Sequence, residues 1–176
     1  MPPVILLTGR PGIGKTTAVK ASISLLGDKA GGFYTREVRT QSRRTGFEIV
    51  TLDGRTAWLA SRSSAPIFKE EVSLGRYRVN LRGIDSIAVP ALRRAVKSNR
   101  LIVIDEIGPM EIISKLFCQT VMEILDSEAP VIGTIMQGQN TFADRVRAHS
   151  RVRIRTITIE NRVHVPPQVI TELAQN

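Results

Sequence analysis

Gly9, Gly14, Lys15 and Thr16 meet the spacing G-x-x-x-x-G-K-[ST] within the run Gly9, Arg10, Pro11, Gly12, Ile13, Gly14, Lys15, Thr16, Thr17. Such a run suits phosphate. Glycines let the backbone close into a concave nest whose N–H groups point at anionic oxygens, and the positive end of a following helix adds to the field. The lysine supplies a point charge for the β- and γ-phosphates, and the hydroxyl after it ligates magnesium. A second chemistry-bearing pair, Asp105 and Glu106, ends the apolar run LIVIDE. An aspartate at a strand end suits a magnesium held directly or through water. A carboxylate beside it suits accepting a proton from an attacking water. Strand alternation aims the two side chains apart, so they do not compete for one task. The bland alternative is a solvated acidic loop of Asp105, Glu106 and Glu111.

Lys15 and Asp105 lie 90 positions apart, so their cooperation predicts two distant strands side by side. The apolar runs Val4 to Thr8, Leu101 to Glu106 and Val131 to Met136 have the length of buried parallel strands. The loop at 9–17 leads into a helix closing at Gly27, and Ser114 is placed to cap a helix over SKLFCQTVMEILDS. Between about Gly32 and Ser61, short alternating β-branched and aromatic runs separated by SRRTG and DG predict an antiparallel meander, extended by GRYRVN at 75–80. A helix from about Asp85 to Ser98 is interrupted by Pro90. TFADRVRAHS reads as a short helix, RIRTITI (153–159) as a strand and PPQVITELAQ as a final helix. Strands alternating with helices imply an α/β fold: a mainly parallel sheet flanked by helices, with an antiparallel insert at about 32–80 in a single domain over 1–176.

The chain carries a formal charge of +9, with arginines dense at 36–44, 76–82 and 145–155. That field attracts polyanions. Dedicated nucleic-acid binding is not favoured, because aromatics are only 5% and do not interleave with the basic runs. No apolar stretch nears the ~20 residues that cross a bilayer, and no signal peptide is legible. The one cysteine, Cys118, reads as a buried small hydrophobe. A cytoplasmic protein without a membrane partner is expected; oligomeric state is not legible.

GRPGIGKTT, GGFYTREV with RTGFEI, GRYRVN, VPALRRA, LIVIDEIGPME and ITIENRVHVP occur in an order that resembles the thermophile-type nucleoside-triphosphatases and their relative, the cancer-related nucleoside-triphosphatase. The resemblance runs from about Val4 to Leu173. It implies a RecA-like, additional-strand P-loop fold and slow, magnesium-dependent hydrolysis of several nucleoside triphosphates with little base preference. It also implies that Gly9 to Thr16 is the phosphate loop and that Leu101 to Gly108 is the second nucleotide-contacting strand and loop, with Thr17, Asp105, Glu106, Ile107 and Gly108 among the nucleotide-binding residues. Asp105 is then the magnesium aspartate and Glu106 the water-activating glutamate, with Lys15 catalytic and Thr16 a second metal ligand. Two departures stand out: Asn161, Arg162, Val163 replaces an N-R-D step, and Gln137, Gly138, Gln139 replaces a basic segment. Arg145 and Arg147 are the nearest substitute cations. A nucleotide or nucleoside kinase and a nucleotide-switched RNA-binding protein stay open as alternatives.

Overall fold

In the computed structural model, which describes residues 1–26, 29–64 and 66–174, Val4, Ile5, Leu6 and Leu7 are all fully buried. They form β1 (Val4–Thr8). Strand side chains alternate between faces, so a wholly apolar strand requires cover on both. Val4 and Leu6 join one core cluster and Ile5 and Leu7 the other. The second cluster is closed by α1 (Lys15–Leu26), through Ala18 and Val19, and by α6 (Val165–Ala174), through Val165 and Val169. The first is closed by α3 (Val89–Lys97) and α4 (Lys115–Leu125), through Leu92, Phe117 and Val121. The expected stop of α1 at Gly27 lies outside the described residues.

Among the described residues, nine strands share one sheet. Strands β2 (Ala30–Thr40), β7 (Leu101–Ile107), β8 (Val131–Ile135), β1 and β9 (Val152–Thr156) run parallel in that order. Beyond β2 come β3 (Arg43–Thr51), β4 (Thr56–Ser61), β6 (Tyr77–Asn80) and β5 (Glu71–Leu74), all antiparallel. One expectation needs correction. β1 and β7 are not neighbours, because β8 lies between them. The antiparallel pairing begins at Phe33, close to the expected Gly32, and is continuous with the parallel sheet. The strand β2 pairs parallel with β7 from Ala30 to Phe33 and antiparallel with β3 from Phe33 to Thr40. Gly32 makes the first pairing fit: its φ is +112°, and a Cβ there would stand 2.2 Å from the Val103 carbonyl oxygen.

The helix expected at 85–98 starts earlier. The Asn80 side chain accepts from the Gly83 N–H and opens α2 (Leu81–Gly83). A π-turn over Ile84–Ala88 joins α2 to α3, whose first turn holds Pro90. Ser114 caps α4, accepting from the Phe117 N–H. The last strand ends at Thr156 rather than Ile159 because Thr158 and Asn161 take over each other's backbone N–H groups through their side chains. Among the described residues, no helix is long and apolar enough to cross a membrane.

The amino ends of the strands are fastened by one cation. Arg151 is only 7% exposed. It donates to the carbonyl of Pro2 at 2.8 Å, to those of Ile124 and Leu125 at the end of α4, and to those of Ser127 and Ala129. Five carbonyls from three segments thus share one guanidinium, and of these Ile124 also accepts from Ser127. Arg151→Ala should destabilise the fold by about 3 kcal/mol by stranding the others, a melting temperature lower by roughly 10 °C. Thermal denaturation checks this; a loss under about 2 °C would show that water replaces the guanidinium freely.

Candidate active site

The carboxyl ends of β1, β7 and β8 meet at one edge of the sheet, where open α/β sheets place their ligand crevices. The turn after β1 runs from Gly9 into α1, whose first turn opens with Lys15, Thr16 and Thr17. The Lys15 ammonium donates back to the carbonyl oxygens of Gly9 at 2.9 Å and Arg10 at 3.3 Å. The charge is therefore centred over the mouth of the turn. Gly9, Pro11, Gly12, Gly14, Lys15, Thr16 and Thr17 line a cavity of about 750 Å³. Arg10 is exposed outside it, and Ile13 is partly buried against the core cluster that holds Ile5 and Val19.

Asp105 sits at the carboxyl end of β7, only 1% exposed. The Thr134 hydroxyl on β8 donates to its Oδ1 at 2.6 Å. The strand that separates β1 from β7 thus supplies the hydrogen bond that fixes the aspartate. Oδ2 is buried and, among the described residues, has no hydrogen-bond partner within ordinary distance. Burial pushes the Asp105 carboxyl above its usual range, opposed by the Thr134 and Thr16 hydroxyls, the Thr35 N–H and the Lys15 charge. An orphaned carboxylate oxygen beside a threonine hydroxyl fits a divalent cation, which favours one or two carboxylates together with phosphate oxygens.

Glu106 is half-buried and lines the cavity shared with Lys15 and Thr16, which Asp105 does not. Burial raises its carboxyl, Lys15 lowers it and Asp105 raises it again. Ile107 is fully buried in the core, and its carbonyl accepts from the Met136 N–H at 3.0 Å. Gly108 is a spacer. A Cβ there would lie 3.0 Å from the Glu111 carboxyl oxygen and 3.1 Å from the Glu106 carboxyl carbon. The solvated-loop alternative fails on burial, because Glu111 is only 4% exposed. Burial, followed by the neighbouring Glu106 charge, pushes its pKa up to about 8.

Several lining residues come from elements the motifs do not include. The β2–β3 hairpin contributes Thr35, Arg36, Glu37, Arg44 and Phe47, and α1 contributes Lys20. Hairpin pairing is what brings 35–37 and 44–47 to the same wall; alternation and the SRRTG turn foretold the hairpin but not its position over the phosphate loop. Arg36 pairs with Glu48 at 2.6 Å, and Glu37 holds both Arg39 and Arg44. Aromatic and basic side chains that do not interleave along the sequence meet in space. Lys20 lies over Tyr34 at 4.3 Å, Arg44 over Phe47 at 5.4 Å and Arg62 over Tyr77 at 5.7 Å.

Arg145 faces a different groove with Cys118, Met122 and Phe142. Arg147 donates to the carbonyls of Met136 and Gly138 and pairs with Asp144 at 2.5 Å. It therefore braces the Met136–Gly138 turn that walls the cavity. The stem of Arg162 passes the phosphate loop, with its Cδ 3.9 Å from where a Gly14 Cβ would be. Cys118 is half-buried rather than buried, donates to the Ile112 carbonyl, and has its thiol pushed up by burial.

The chain matches the model of the NTPase family over residues 4–170. It is 41% identical to nucleoside-triphosphatase THEP1 of Thermotoga petrophila over 172 residues, 98% of this chain and 93% of that one. It is 38% identical to the human cancer-related nucleoside-triphosphatase, covering 95% and 94% of the two chains. The crystal structure of THEP1 from Aquifex aeolicus superposes with a TM-score of 0.85 at 34% identity, over 97% of this chain and 98% of that one.

Glu111 makes stability pH-dependent. Its folded pKa lies above the ordinary 4.5, so the unfolded chain releases that proton first as pH rises. The contribution is complete below about pH 4.5 and is lost as pH climbs through about 8. Glu111→Gln should melt close to the wild type at pH 5 and above it at pH 8.5. Parallel melting profiles across that range would refute a buried neutral Glu111.

Proposed function

The chain belongs to the NTPase family and is a hydrolase of nucleoside triphosphates, and we propose that it does this with magnesium, at the Gly9–Thr17 loop, with low selectivity for the base. The observation that carries the reading is the convergence of Lys15, Thr16 and Glu106 on one cavity with the buried Asp105 behind it. Backbone N–H groups of the loop and the start of α1 receive the triphosphate, and Lys15 exchanges its loop carbonyls for β- and γ-phosphate oxygens. Thr16 and Asp105 hold the magnesium, whose charge when bound neutralises the phosphates. Asp105 is oriented for this by Thr134. Glu106 orients the attacking water and takes its proton as the water oxygen bonds to the γ-phosphorus. Ile107 and Gly108 position the segment from behind rather than touching phosphate. Arg36 and Arg44 line the same cavity as the loop, Arg162 passes beside Gly14 and Arg147 stands behind the Met136–Gly138 turn; Arg145 stands apart from it.

Glu106→Gln keeps the shape of the side chain and removes its basicity. Single-turnover hydrolysis should fall about 10²- to 10⁴-fold while equilibrium binding of the same triphosphate survives, because the metal ligands are intact. Asp105→Asn should lose magnesium-dependent binding and turnover together. Wild-type hydrolysis in Glu106→Gln would move the base elsewhere.

The cavity grips through phosphate-facing groups, and no N-K-x-D guanine-reading run occurs in the chain. We therefore expect kcat/KM for ATP and GTP to agree within about tenfold, or about 1.4 kcal/mol. Steady-state kinetics on both would settle it, a hundredfold gap meaning a base-specific pocket.

A further inference from the structure

Glu106 faces two cavities, not one. On the side away from the phosphate loop it opens onto a second chamber of about 600 Å³, within the size range of small-molecule sites. The two chambers share only Thr35, Phe47, Glu106 and Pro109 as their partition. The outer wall of the second chamber is the antiparallel insert. Leu59 of β4, the β5–β6 turn and the tilted ring pair Phe47 and Tyr77, with centroids 5.5 Å apart, make it apolar and aromatic. Arg62 lies against the Tyr77 ring, and Arg76 is exposed at the rim.

We propose that this chamber binds a phosphoryl acceptor, a nucleoside-sized planar heterocycle bearing a primary hydroxyl, and that the protein transfers the γ-phosphoryl group to it. The inference rests on the triphosphate occupying the Gly9–Thr17 loop and on Glu106 being the base. Ring faces and an arginine already stacked on one of them suit a flat heterocycle. The partition decides which group accepts. A hydroxyl needs a base to take its proton, and Glu106 stands between the acceptor and the loop. A phosphate monoester is already anionic at neutral pH, needs no base, and would face the Glu106 carboxylate on this wall. The acceptor oxygen forms the new bond to the γ-phosphorus as the bond from that phosphorus to the β,γ-bridging oxygen breaks. The hydroxyl proton passes to Glu106, and the electron pair leaves with the nucleoside diphosphate. Water reaching the same carboxylate in an empty chamber gives hydrolysis, so one base serves both outcomes.

The test uses the whole chain with magnesium, γ-labelled ATP and each of adenosine, guanosine, cytidine, uridine and thymidine. Label in the nucleoside monophosphate is measured against label in free phosphate, beside calorimetric titration of each nucleoside. We expect one or more nucleosides to bind and to raise ATP consumption at least tenfold, with the label in the monophosphate. Leu74→Trp, which fills the chamber from the β5–β6 turn, should lose transfer at least tenfold and keep basal hydrolysis within twofold. Tyr77→Leu, which removes a ring but keeps apolar volume, serves if Leu74→Trp fails to fold. No binding and no transfer with any nucleoside overturns the proposal, as does binding without transfer or transfer that survives both variants. Transfer that persists in Glu106→Gln overturns the base assignment and leaves the acceptor chamber standing.

Discussion

A carboxylate taken out of water at the end of a strand is expensive unless something compensates it. Asp105 is such a group, and the surrounding architecture can be read as its compensation. The residue reaches its position because β7 is covered on both faces and ends at the carboxyl edge of the sheet. Thr134 satisfies one of its oxygens from β8, while Lys15 and Thr16 approach from the loop after β1. Three strands must be in register for these groups to meet, and the parallel pairings Val4 with Val131 and Ile102 with Val131 fix that register. A slip of one residue in β8 would turn Thr134 to the other face and leave Asp105 without its donor.

The carboxyl groups of the DEIGPME segment illustrate how environment divides like residues into different roles. Asp105 is buried against hydroxyls, Glu106 is half-buried facing a cavity, and Glu111 folds back beneath Gly108 with its pKa near 8. A neutral Glu111 spares the site a third negative charge next to Glu106. That keeps the local field compatible with a polyanionic substrate, to which Lys15 and Arg44 contribute the opposing sign.

The excess of arginine has a more local meaning than the net charge suggests. Arg36 and Arg44 are tied to Glu48 and Glu37 across the β2–β3 hairpin, Arg78 to Glu71, and Arg153 and Arg155 to Glu172. Exposed pairs of this kind add little stability individually. Their effect is orientation: the hairpin pairs hold Arg36 and Arg44 along the cavity wall, and the paired Arg44 and Arg78 lie over Phe47 and Phe68. The antiparallel insert is thus less an appendage than the outer wall of the site, continuous with the parallel sheet through β2.

The sequence by itself determined the parts whose chemistry is contiguous. The glycine spacing, Lys15 and Thr16 mark a candidate phosphate loop within nine residues, and local capping at Ser114 and the apolar runs specify most elements around it. Asp105 and Glu106 stand out in the sequence as candidates because a buried strand ending in two carboxylates has few other uses. Only the tertiary structure decided that β8 stands between β1 and β7, that Thr134 fixes Asp105, and that Glu111 is buried. It also decided that Thr35, Arg44 and Phe47 wall the cavity and that Arg145 does not. These depend on which distant backbones pair, and strand pairing is set by sheet-wide register and two-sided burial, which no local run of residues encodes.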